Sequence, residues 1–327
     1  MLSRRLLLGA LGGATLTPLA GPFLGAHAAS GSYEDFLAGL REEAHQAGIS
    51  RLTISRSLSN LRPLDRVLQL DRRQPEFTLT WEQYRDRQLV PQRIDKGRQL
   101  AADNRQLLEQ IGIRYRVSPR VIMAIWGMET NYGAFTGSFF VIEALATLAW
   151  DGRRSAYFRQ ELIAALRILD EGHVTPERMK GSWAGAMGQP QFMPSNFSKL
   201  AVDFDGDGRR DIWDDRGDAL ASIANYLSNS GWREQEPWGR EVMLPAGFDP
   251  ALASLDVKRP LRDWVAMGVQ TNDGTSLQGL DMEASILQPS GAGGQAFAVH
   301  ANFAAIRRYN PSTYYALAVA MLSDRVA

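Results

Sequence analysis

Apolar residues recur at helical spacing through the first third of the chain. From Tyr33 to about Tyr115 the sequence is rich in Leu, Arg, Gln and Glu, with apolar positions three and four apart, as in the stretch from Leu100 to Ile111. This spacing predicts helices. Ser118 and Pro119 then offer an N-cap and a first-turn proline, which predicts that a helix begins there and continues through the apolar residues that follow.

The same periodicity continues beyond a pair of glycines at Gly133 and Gly137. It predicts further helices over Val141 to Trp150, Ser155 to Leu169, Asp218 to Asn229 and Ser312 to Leu322. A loop rich in glycine and proline, from Gly181 to Pro194, lies between two of them.

Composition changes after Gly231, where proline, glycine and short apolar runs replace long helical periodicity up to about Ala301. Ser285 to Leu287 and Ala296 to Val299 flank a glycine-rich turn, which predicts two paired strands. The chain is therefore expected to be mainly α (α+β). Its predicted segments are an export signal peptide at 1–28, an N-terminal helical region at 29–117, a helical core at 118–232, a small β-containing subdomain at 233–301 and a C-terminal segment at 302–327 that returns to the core.

The first residues have the pattern of an export signal. Arg4 and Arg5 precede an apolar stretch from Leu6 to Leu24, and small residues at Ala26 and Ala28 suit signal peptidase, so we expect cleavage after Ala28. Paired arginines occur in ordinary signal peptides too, but the neighbouring residues favour the twin-arginine route. We therefore expect a periplasmic protein.

Charge and cysteine content exclude several classes of protein. The chain has 36 basic and 36 acidic residues and no cysteine. Loss of Arg4 and Arg5 with the signal leaves 34 − 36 = −2, and no basic cluster suggests a nucleic-acid partner. Without cysteine there is no disulfide, no thiolate metal site and no lipid anchor on an N-terminal cysteine. We expect a monomer.

A carboxyl group stands on the apolar stripe of the helix predicted after Pro119. Ile122, Ile125 and Trp126 are followed by Glu129 at positions i, i+3, i+4 and i+7, so all four share one face. A carboxylate removed from water needs a cation or has its pKa raised, and a raised pKa suits a general acid for glycosidic bond cleavage. Alternatively, Glu129 lies at a fraying helix end and points to water.

Pairing with a cation is a further alternative for this glutamate, because Arg153 and Arg154 follow in the sequence. Periodicity alone does not decide among these alternatives.

The segment from Asp203 to Asp214 matches the twelve-residue calcium loop, with acids at positions 1, 3, 5, 9 and 12 and a glycine at position 6. The predicted ligands are Asp203, Asp205, Asp207, the carbonyl of Arg209, Asp211 and Asp214. Asp214 replaces the usual glutamate and is shorter, so the cation is open between Ca²⁺, Na⁺ and Mg²⁺. The alternative is an Asp/Gly turn without metal. We expect a structural cation and no cofactor for chemistry.

Three long motifs occur in order along the chain, namely Ala124–Gly133 (AIWGMETNYG), Gly185–Ser195 (GAMGQPQFMPS) and Arg308–Tyr315 (RYNPSTYY). They closely resemble those of the lytic transglycosylase B family, and the likeness spans most of the mature chain. The resemblance implies a lysozyme-like helical core with an additional helical region, a small β subdomain and an EF-hand-like site. It also identifies Glu129 as the catalytic glutamate. Residues implied to line the glycan groove are Arg153, Arg154, Tyr157, Ser182, Gln191, Phe192, Tyr226, Asn310 and Tyr315.

The family's reaction, implied by this resemblance, cleaves the bond between N-acetylmuramic acid and N-acetylglucosamine in peptidoglycan and leaves a 1,6-anhydro ring. One carboxyl group suffices, because the substrate's own C6 hydroxyl is the nucleophile. A second carboxylate from Glu143, Asp151 or Glu161 stays open. The implied partners are glycan strands and, as candidates, cell-wall synthesis proteins. Two other hypotheses are a non-catalytic murein-binding scaffold and a calcium-responsive interaction protein, although the latter would be expected to have paired loops.

Overall fold

The computed structural model describes residues 31–72, 79–275 and 277–326, so the predicted signal peptide lies outside the described residues. The chain forms two compact units, each built from two segments. The first unit comprises Gly133–Ala219 and the described part of Met1–Pro75. The second unit comprises Leu220–Ala327 and Glu76–Tyr132, again as far as they are described.

The elements are named in chain order. The helices are α1 (Tyr33–Gln46), α2 (Arg51–Leu58), α3 (Asp65–Arg72), α4 (Trp81–Gln88), α5 (Pro91–Asp103), α6 (Arg105–Tyr115), α7 (Pro119–Thr130), α8 (Val141–Trp150), α9 (Ser155–Asp170), α10 (Pro194–Leu200), α11 (Arg216–Asn229), α12 (Leu261–Ala266), α13 (Ala301–Tyr309) and α14 (Thr313–Ser323). The strands are β1 (Phe139–Phe140), β2 (Lys180–Gly181), β3 (Gly239–Met243), β4 (Arg259–Pro260), β5 (Gln270–Thr271), β6 (Glu283–Leu287) and β7 (Ala296–Val299).

The first unit is helical around the packed pair α8 and α9, with α2 and α10 against α9 and α3 against α8. Side-chain caps fix the starts of its first two helices. The Ser32 hydroxyl accepts from the amide of Asp35, and the Ser50 hydroxyl accepts from that of Thr53. At the end of α9, the Asp170 carboxylate accepts from the Thr53 hydroxyl at 2.7 Å, which ties α2 to α9.

The second unit packs α7 against α14, α5 and α6, and α14 in turn against α4 and α13. It also contains an antiparallel sheet of strand order β4-β6-β7-β3-β5. The predicted strand pair is confirmed, since Leu287 pairs with Phe297 and Ser285 with Val299. Trp264 of α12 is fully buried on this sheet, and its indole nitrogen donates to the carbonyl of Ala284.

The predicted fold class is confirmed: the described chain is mainly helical with small sheets. Helix α8 has the predicted bounds, α7 begins at the predicted Pro119, and α9, α11 and α14 begin and end within two residues of the predicted positions. The stretch from Leu100 to Ile111 is helical as predicted, and it extends across two helices, α5 and α6, which are separated at Asn104. The Asn104 side chain and its own backbone amide both donate to the carbonyl of Leu100, at 2.7 and 3.1 Å.

None of the helices in residues 31–72, 79–275 and 277–326 combines the length and the apolar character that crossing a bilayer requires.

Candidate active site

Helix α7 carries Glu129 near its carboxyl end. Pro119 stands at the first helical position as predicted, although the Ser118 side chain makes no capping hydrogen bond. Every residue from Val121 to Thr130 is buried, and Glu129 itself is only 3% exposed. The alternative that this carboxyl group points to bulk water is therefore wrong.

Tyr315 of α14 holds the glutamate. Its hydroxyl donates a hydrogen bond to Glu129 Oε1 at 2.8 Å, and both side chains are buried. The start of α14 is fixed by the Ser312 hydroxyl, which accepts from the amide of Tyr315, and by Asn310 Oδ1, which accepts from the amide of Ser312 at 3.1 Å. Glu129 from one motif and Tyr315 from another thus meet within the second unit, and Asn310 fixes the start of the helix that carries Tyr315.

Tyr84 of α4 is a neighbour of Glu129 that the sequence did not single out. Burial raises the pKa of Tyr84 above its usual range, the negative charge of Glu129 raises this pKa further, and Arg93 opposes the rise. The phenol therefore stays neutral within electrostatic reach of the glutamate. Helix α4 is short and strongly polar in sequence, WEQYRDRQ, and contains no recognisable motif, so no local signal marks Tyr84.

The turn after α7 explains why positions 97 and 127 are glycine. Asn131 and Tyr132 both have left-handed backbone, with φ of 50° and 61°. The Tyr132 ring then folds back between two helices, where its hydroxyl donates to the carbonyl of Arg93 at 3.0 Å. A Cβ at Gly127 would lie 2.6 Å from Tyr132 Cζ, and one at Gly97 would lie 2.3 Å from its hydroxyl oxygen. Only glycine leaves room for this ring beneath the glutamate-bearing turn.

Tyr226 is also in the second unit. Its hydroxyl donates to the carbonyl of Arg308 at 2.7 Å, and its ring lies 4.6 Å from that of Tyr309. Tyr226 therefore contacts the segment that precedes Asn310.

In the first unit, Ser182, Gln191 and Phe192 lie on one tightly bonded loop. The Ser182 hydroxyl accepts from the amide of Ala186 at 3.0 Å. Gln191 has left-handed backbone, φ 53°, and its side-chain amide donates to the carbonyls of Thr136 and Gly188 at 2.8 and 3.0 Å. Phe192 is fully buried. Its ring is therefore not accessible to a ligand in this structure.

Arg153, Arg154 and Tyr157 lie around the start of α9. Both arginines pair with the buried carboxylate of Asp71, at 3.5 Å for Arg153 and 2.6 Å for Arg154. The Tyr157 ring meets that of Phe158 edge-on, with centroids 5.2 Å apart. The guanidinium of Arg154 also lies over the Phe158 ring, so this basic pair is anchored rather than freely solvated.

Two of the three carboxylates considered as catalytic partners are engaged elsewhere in the first unit. Asp151 pairs with Arg72 at 2.8 Å. Glu161 is buried and accepts from both the amide and the hydroxyl of Ser195, at 2.9 and 2.7 Å.

The cation loop folds around Asp203, whose two carboxylate oxygens accept from the amides of Gly206 and Gly208 at 2.7 and 2.9 Å. Carboxylate oxygens of Asp203, Asp205 and Asp218 lie within 4.8 Å of one another. Asp218 was not among the predicted ligands, because it lies four residues beyond the twelve-residue pattern. It is buried in the first turn of α11 and accepts from the amides of Phe204 and Asp211, both at 2.7 Å.

The other predicted ligands point to different partners. Asp214 pairs with Arg178, and Asp207 pairs with the Arg209 side chain at 2.7 Å. Asp211 accepts from the amides of Trp213 and Asp214. Burial raises the pKa of Asp218 to about 6, and the charges of Asp215 and Asp205 add to the rise. Crowded oxygens of this kind fit a cation, which would offset their repulsion.

Comparison with known proteins agrees with this architecture. Residues 32–324 match the family described as the transglycosylase SLT domain. The membrane-bound lytic murein transglycosylase B of Escherichia coli strain K12 is 34% identical over 293 residues, covering 86% of this chain and 79% of that protein.

Solved structures of similar proteins cover most of the chain as well. SltB3 from Pseudomonas aeruginosa, in complex with NAG-anhNAM-pentapeptide, is 47% identical with a TM-score of 0.88, covering 90% of this chain and 79% of that one. The Escherichia coli lytic transglycosylase Slt35, in complex with calcium, is 33% identical with a TM-score of 0.76, covering 90% and 92%. Because the family match spans residues 32–324 and the structures agree in fold, this chain belongs to the transglycosylase SLT domain family, together with the lytic murein transglycosylases.

Proposed function

We propose that this chain is an exported lytic transglycosylase that cleaves the β-1,4 bond between N-acetylmuramic acid and N-acetylglucosamine in peptidoglycan. The observation that carries this proposal is the buried Glu129 with the Tyr315 hydroxyl 2.8 Å from its Oε1. A carboxyl group sheltered from water and held in one orientation suits a proton donor and acceptor. The substrate class follows that of the related enzymes, whose structures contain peptidoglycan fragments.

The reaction needs one carboxyl group and no water. Glu129 donates its proton to the glycosidic oxygen as the bond from the muramic anomeric carbon to that oxygen breaks. The resulting carboxylate then takes the proton of the muramic C6 hydroxyl, whose oxygen bonds to the anomeric carbon. The products are an N-acetylglucosamine 4-hydroxyl and a 1,6-anhydromuramic end, and Glu129 has regained its proton. Tyr315 keeps the carboxyl group oriented through both transfers.

We further propose the groove residues suggested by the resemblance. Ser182, Gln191 and Asn310 would orient the acetamido groups, and Tyr157, Phe192, Tyr226 and Tyr315 would supply apolar faces for the sugar rings. Arg153 and Arg154 would contribute positive charge while anchored on Asp71. Phe192 is fully buried. Direct contact of its ring with a sugar would therefore require the loop of Ser182 and Gln191 to move.

A structural cation, Ca²⁺ or Na⁺, is proposed for the loop from Asp203 to Asp218. Asp203, Asp205 and Asp218 would hold it, with the carbonyl of Arg209 as a further oxygen. Asp207, Asp211 and Asp214 would add charge around the site. The cation would supply no chemistry to the reaction. It would join the loop to the first turn of α11.

Periplasmic location after twin-arginine export and a monomeric state remain part of the proposal. Cell-wall synthesis proteins remain candidate partners.

Replacement of Glu129 tests the proposal. Purified murein is incubated with the wild-type chain, with Glu129→Gln and with the matched surface variant Glu109→Gln, and fragments with anhydro ends are identified by mass spectrometry. Wild type and Glu109→Gln should release them, whereas Glu129→Gln should lose about a hundredfold or more of the rate. Circular dichroism checks that each variant is folded.

Two results would contradict the proposal. Substantial activity in Glu129→Gln would show that another group transfers the proton. Binding of murein by the wild-type chain without any anhydro product would favour the non-catalytic scaffold instead.

A further inference from the structure

Helix α4 depends on contacts from outside itself for its position. It has eight residues, and an isolated helix of that length is not stable in water. Its only buried residue is Trp81, which is fully enclosed. Whatever holds the Trp81 ring therefore fixes the position of α4, and with it the position of Tyr84 one turn later.

The turn between β6 and β7 supplies those contacts. Gln295, the residue before β7, accepts a hydrogen bond at its Oε1 from the indole Nε1 of Trp81 at 2.8 Å. The same oxygen accepts from the guanidinium of Arg85 at 3.3 Å. At the other end of the turn, the Ser290 hydroxyl donates to the carboxylate of Glu82. Three residues of α4 are thus bonded to one turn of the sheet.

This turn is itself held by backbone hydrogen bonds. The amide of Gly291 donates to the carbonyl of Gln288, and the amide of Gly294 donates to the carbonyl of Gly291, both at 3.1 Å. Strand β7 then places Phe297 against α4, where its ring meets that of Trp81 edge-on with centroids 6.1 Å apart. The side chain that bonds the indole therefore extends from an ordered backbone.

The indole N–H needs an acceptor because the Trp81 ring is fully buried. A buried donor without a partner loses the hydrogen bond that it would make to water. Without Gln295 the ring would have to turn toward another acceptor, and α4 would move with it. Trp81 and Tyr84 share one face of α4, at positions i and i+3. Both rings pack on that of Tyr314, with centroids 5.6 and 5.8 Å away, so a shift of Trp81 displaces Tyr84.

We infer that Gln295 is a positioning residue: through Trp81 it holds Tyr84 within electrostatic reach of Glu129. The small sheet thereby acts on the reacting carboxyl group by way of α4. The inference rests on the proposed function for the reaction that is affected, whereas the placement of Tyr84 can be measured without any cleavage.

Substitutions at position 295 test the inference kinetically. Gln295→Leu removes the acceptor, whereas Gln295→Glu keeps an oxygen that can accept from the indole and pair with Arg85. Measured on soluble glycan chains, Gln295→Leu should lower kcat about tenfold and leave KM unchanged, because Tyr84 acts on the reacting group and not on binding. Gln295→Glu should retain the wild-type kcat. Gln288→Leu, the same change at a half-buried glutamine of the same turn, is the matched control and should match wild type.

Circular dichroism checks that each variant is folded at the assay temperature. If Gln295→Leu does not fold, Gln295→Asn takes its place, because it keeps an amide and withdraws the acceptor by one methylene. It should show the same loss of kcat at unchanged KM.

Carbon-13 labelling of the tyrosine rings tests the placement of Tyr84 independently of activity. In the full chain, Glu129→Gln should shift the ring resonance of Tyr84, which is assigned by its loss in Tyr84→Phe. Combined with Gln295→Leu, the same replacement of Glu129 should shift that resonance less, and combined with Gln295→Glu it should shift it by the wild-type amount.

These two measurements separate the inference from the proposed function. If wild type cleaves no murein and the resonance shifts follow this order, the proposed function fails and the role of Gln295 in placing Tyr84 stands. Equal shifts in all three backgrounds would overturn the inference. So would a wild-type kcat for Gln295→Leu, or a loss in Gln295→Glu as large as that in Gln295→Leu.

Discussion

Carboxyl groups occupy two regions of this chain in opposite ways. On α7, Glu129 is a single buried carboxyl group with a tyrosine hydroxyl on one oxygen. In the loop before α11 and in the first turn of that helix, Asp203, Asp205 and Asp218 bring oxygens within 4.8 Å of one another. A carboxyl group that is buried alone among apolar residues is suited to donating and accepting one proton. Several carboxylates crowded together are suited to binding a cation. The environment, rather than the residue type, separates the two roles.

The largest predicted effect is on catalysis, when the Tyr315 hydroxyl that contacts the buried Glu129 is removed. Tyr315→Phe leaves Glu129 without the donor at its Oε1. We expect kcat to fall about ten- to hundredfold, the range for a lost hydrogen bond to a charged group. The neighbouring variant Tyr314→Phe, whose hydroxyl donates to the carbonyl of Pro289, is the control. Equal activities for the two variants would remove Tyr315 from the mechanism.

A methyl group at Gly127 should loosen the turn beneath the glutamate. In Gly127→Ala the new carbon would lie 2.6 Å from Tyr132 Cζ, so either the ring or helix α7 must shift. The free energy of unfolding should fall by about 1–3 kcal/mol in denaturant titrations. Gly39→Ala on α1 is the control, because its nearest neighbour is 3.9 Å away and alanine favours a helix. An unchanged stability for Gly127→Ala would show that the ring is not confined there.

Cation removal should affect stability rather than chemistry. A chelator should lower the free energy of unfolding by about 1–3 kcal/mol, the linkage expected for a site well above half saturation, while kcat well below the melting temperature stays within about twofold. Asp203→Asn should reproduce the lower stability and make it insensitive to chelator. If chelation abolished activity in a chain that remained folded, the loop would have a direct part in the reaction.

The smallest predicted effect is a pH dependence of the free energy of unfolding after the cation has been removed by a chelator. Burial raises the pKa of Asp218 from its ordinary 3.8 to about 6, so folding favours its protonated form. This contribution is fully present below the ordinary pKa and is lost as pH rises through about 6. Stability should therefore fall by about 1–2 kcal/mol between about pH 5 and pH 7.5.

Two comparisons isolate that effect. Asp218→Asn does not titrate and should lack this part of the pH dependence, and excess calcium should suppress it by favouring the carboxylate. A wild-type curve parallel to that of Asp218→Asn would mean that burial does not raise the pKa of Asp218.

Local sequence predicted the helices well wherever a helix has its own start signal and apolar stripe. Helix α7 begins at Pro119, and α8 has the bounds that periodicity predicts. The break at Asn104 was not predictable from apolar spacing, because helical periodicity continues across it. The apolar stripe drew attention to Glu129, but only the family resemblance singled it out as the catalytic candidate.

The remaining site residues depend on tertiary contacts that no local pattern encodes. Tyr84 approaches Glu129 from a short polar helix, and Asp218 joins Asp203 from beyond the calcium-loop motif. The carboxylate of Asp214 fits that motif yet pairs with Arg178. A motif therefore locates the loop, while the fold selects which of its oxygens converge.

Isotope labelling of the product tests most directly whether Glu129 serves a reaction in which the sugar, and not water, attacks. Murein is digested by the wild-type chain in water enriched in ¹⁸O, and the muramic ends of the fragments are weighed by mass spectrometry. The account predicts anhydro ends without any ¹⁸O. Hydrated reducing ends that carry the heavy isotope in the initial products would contradict it.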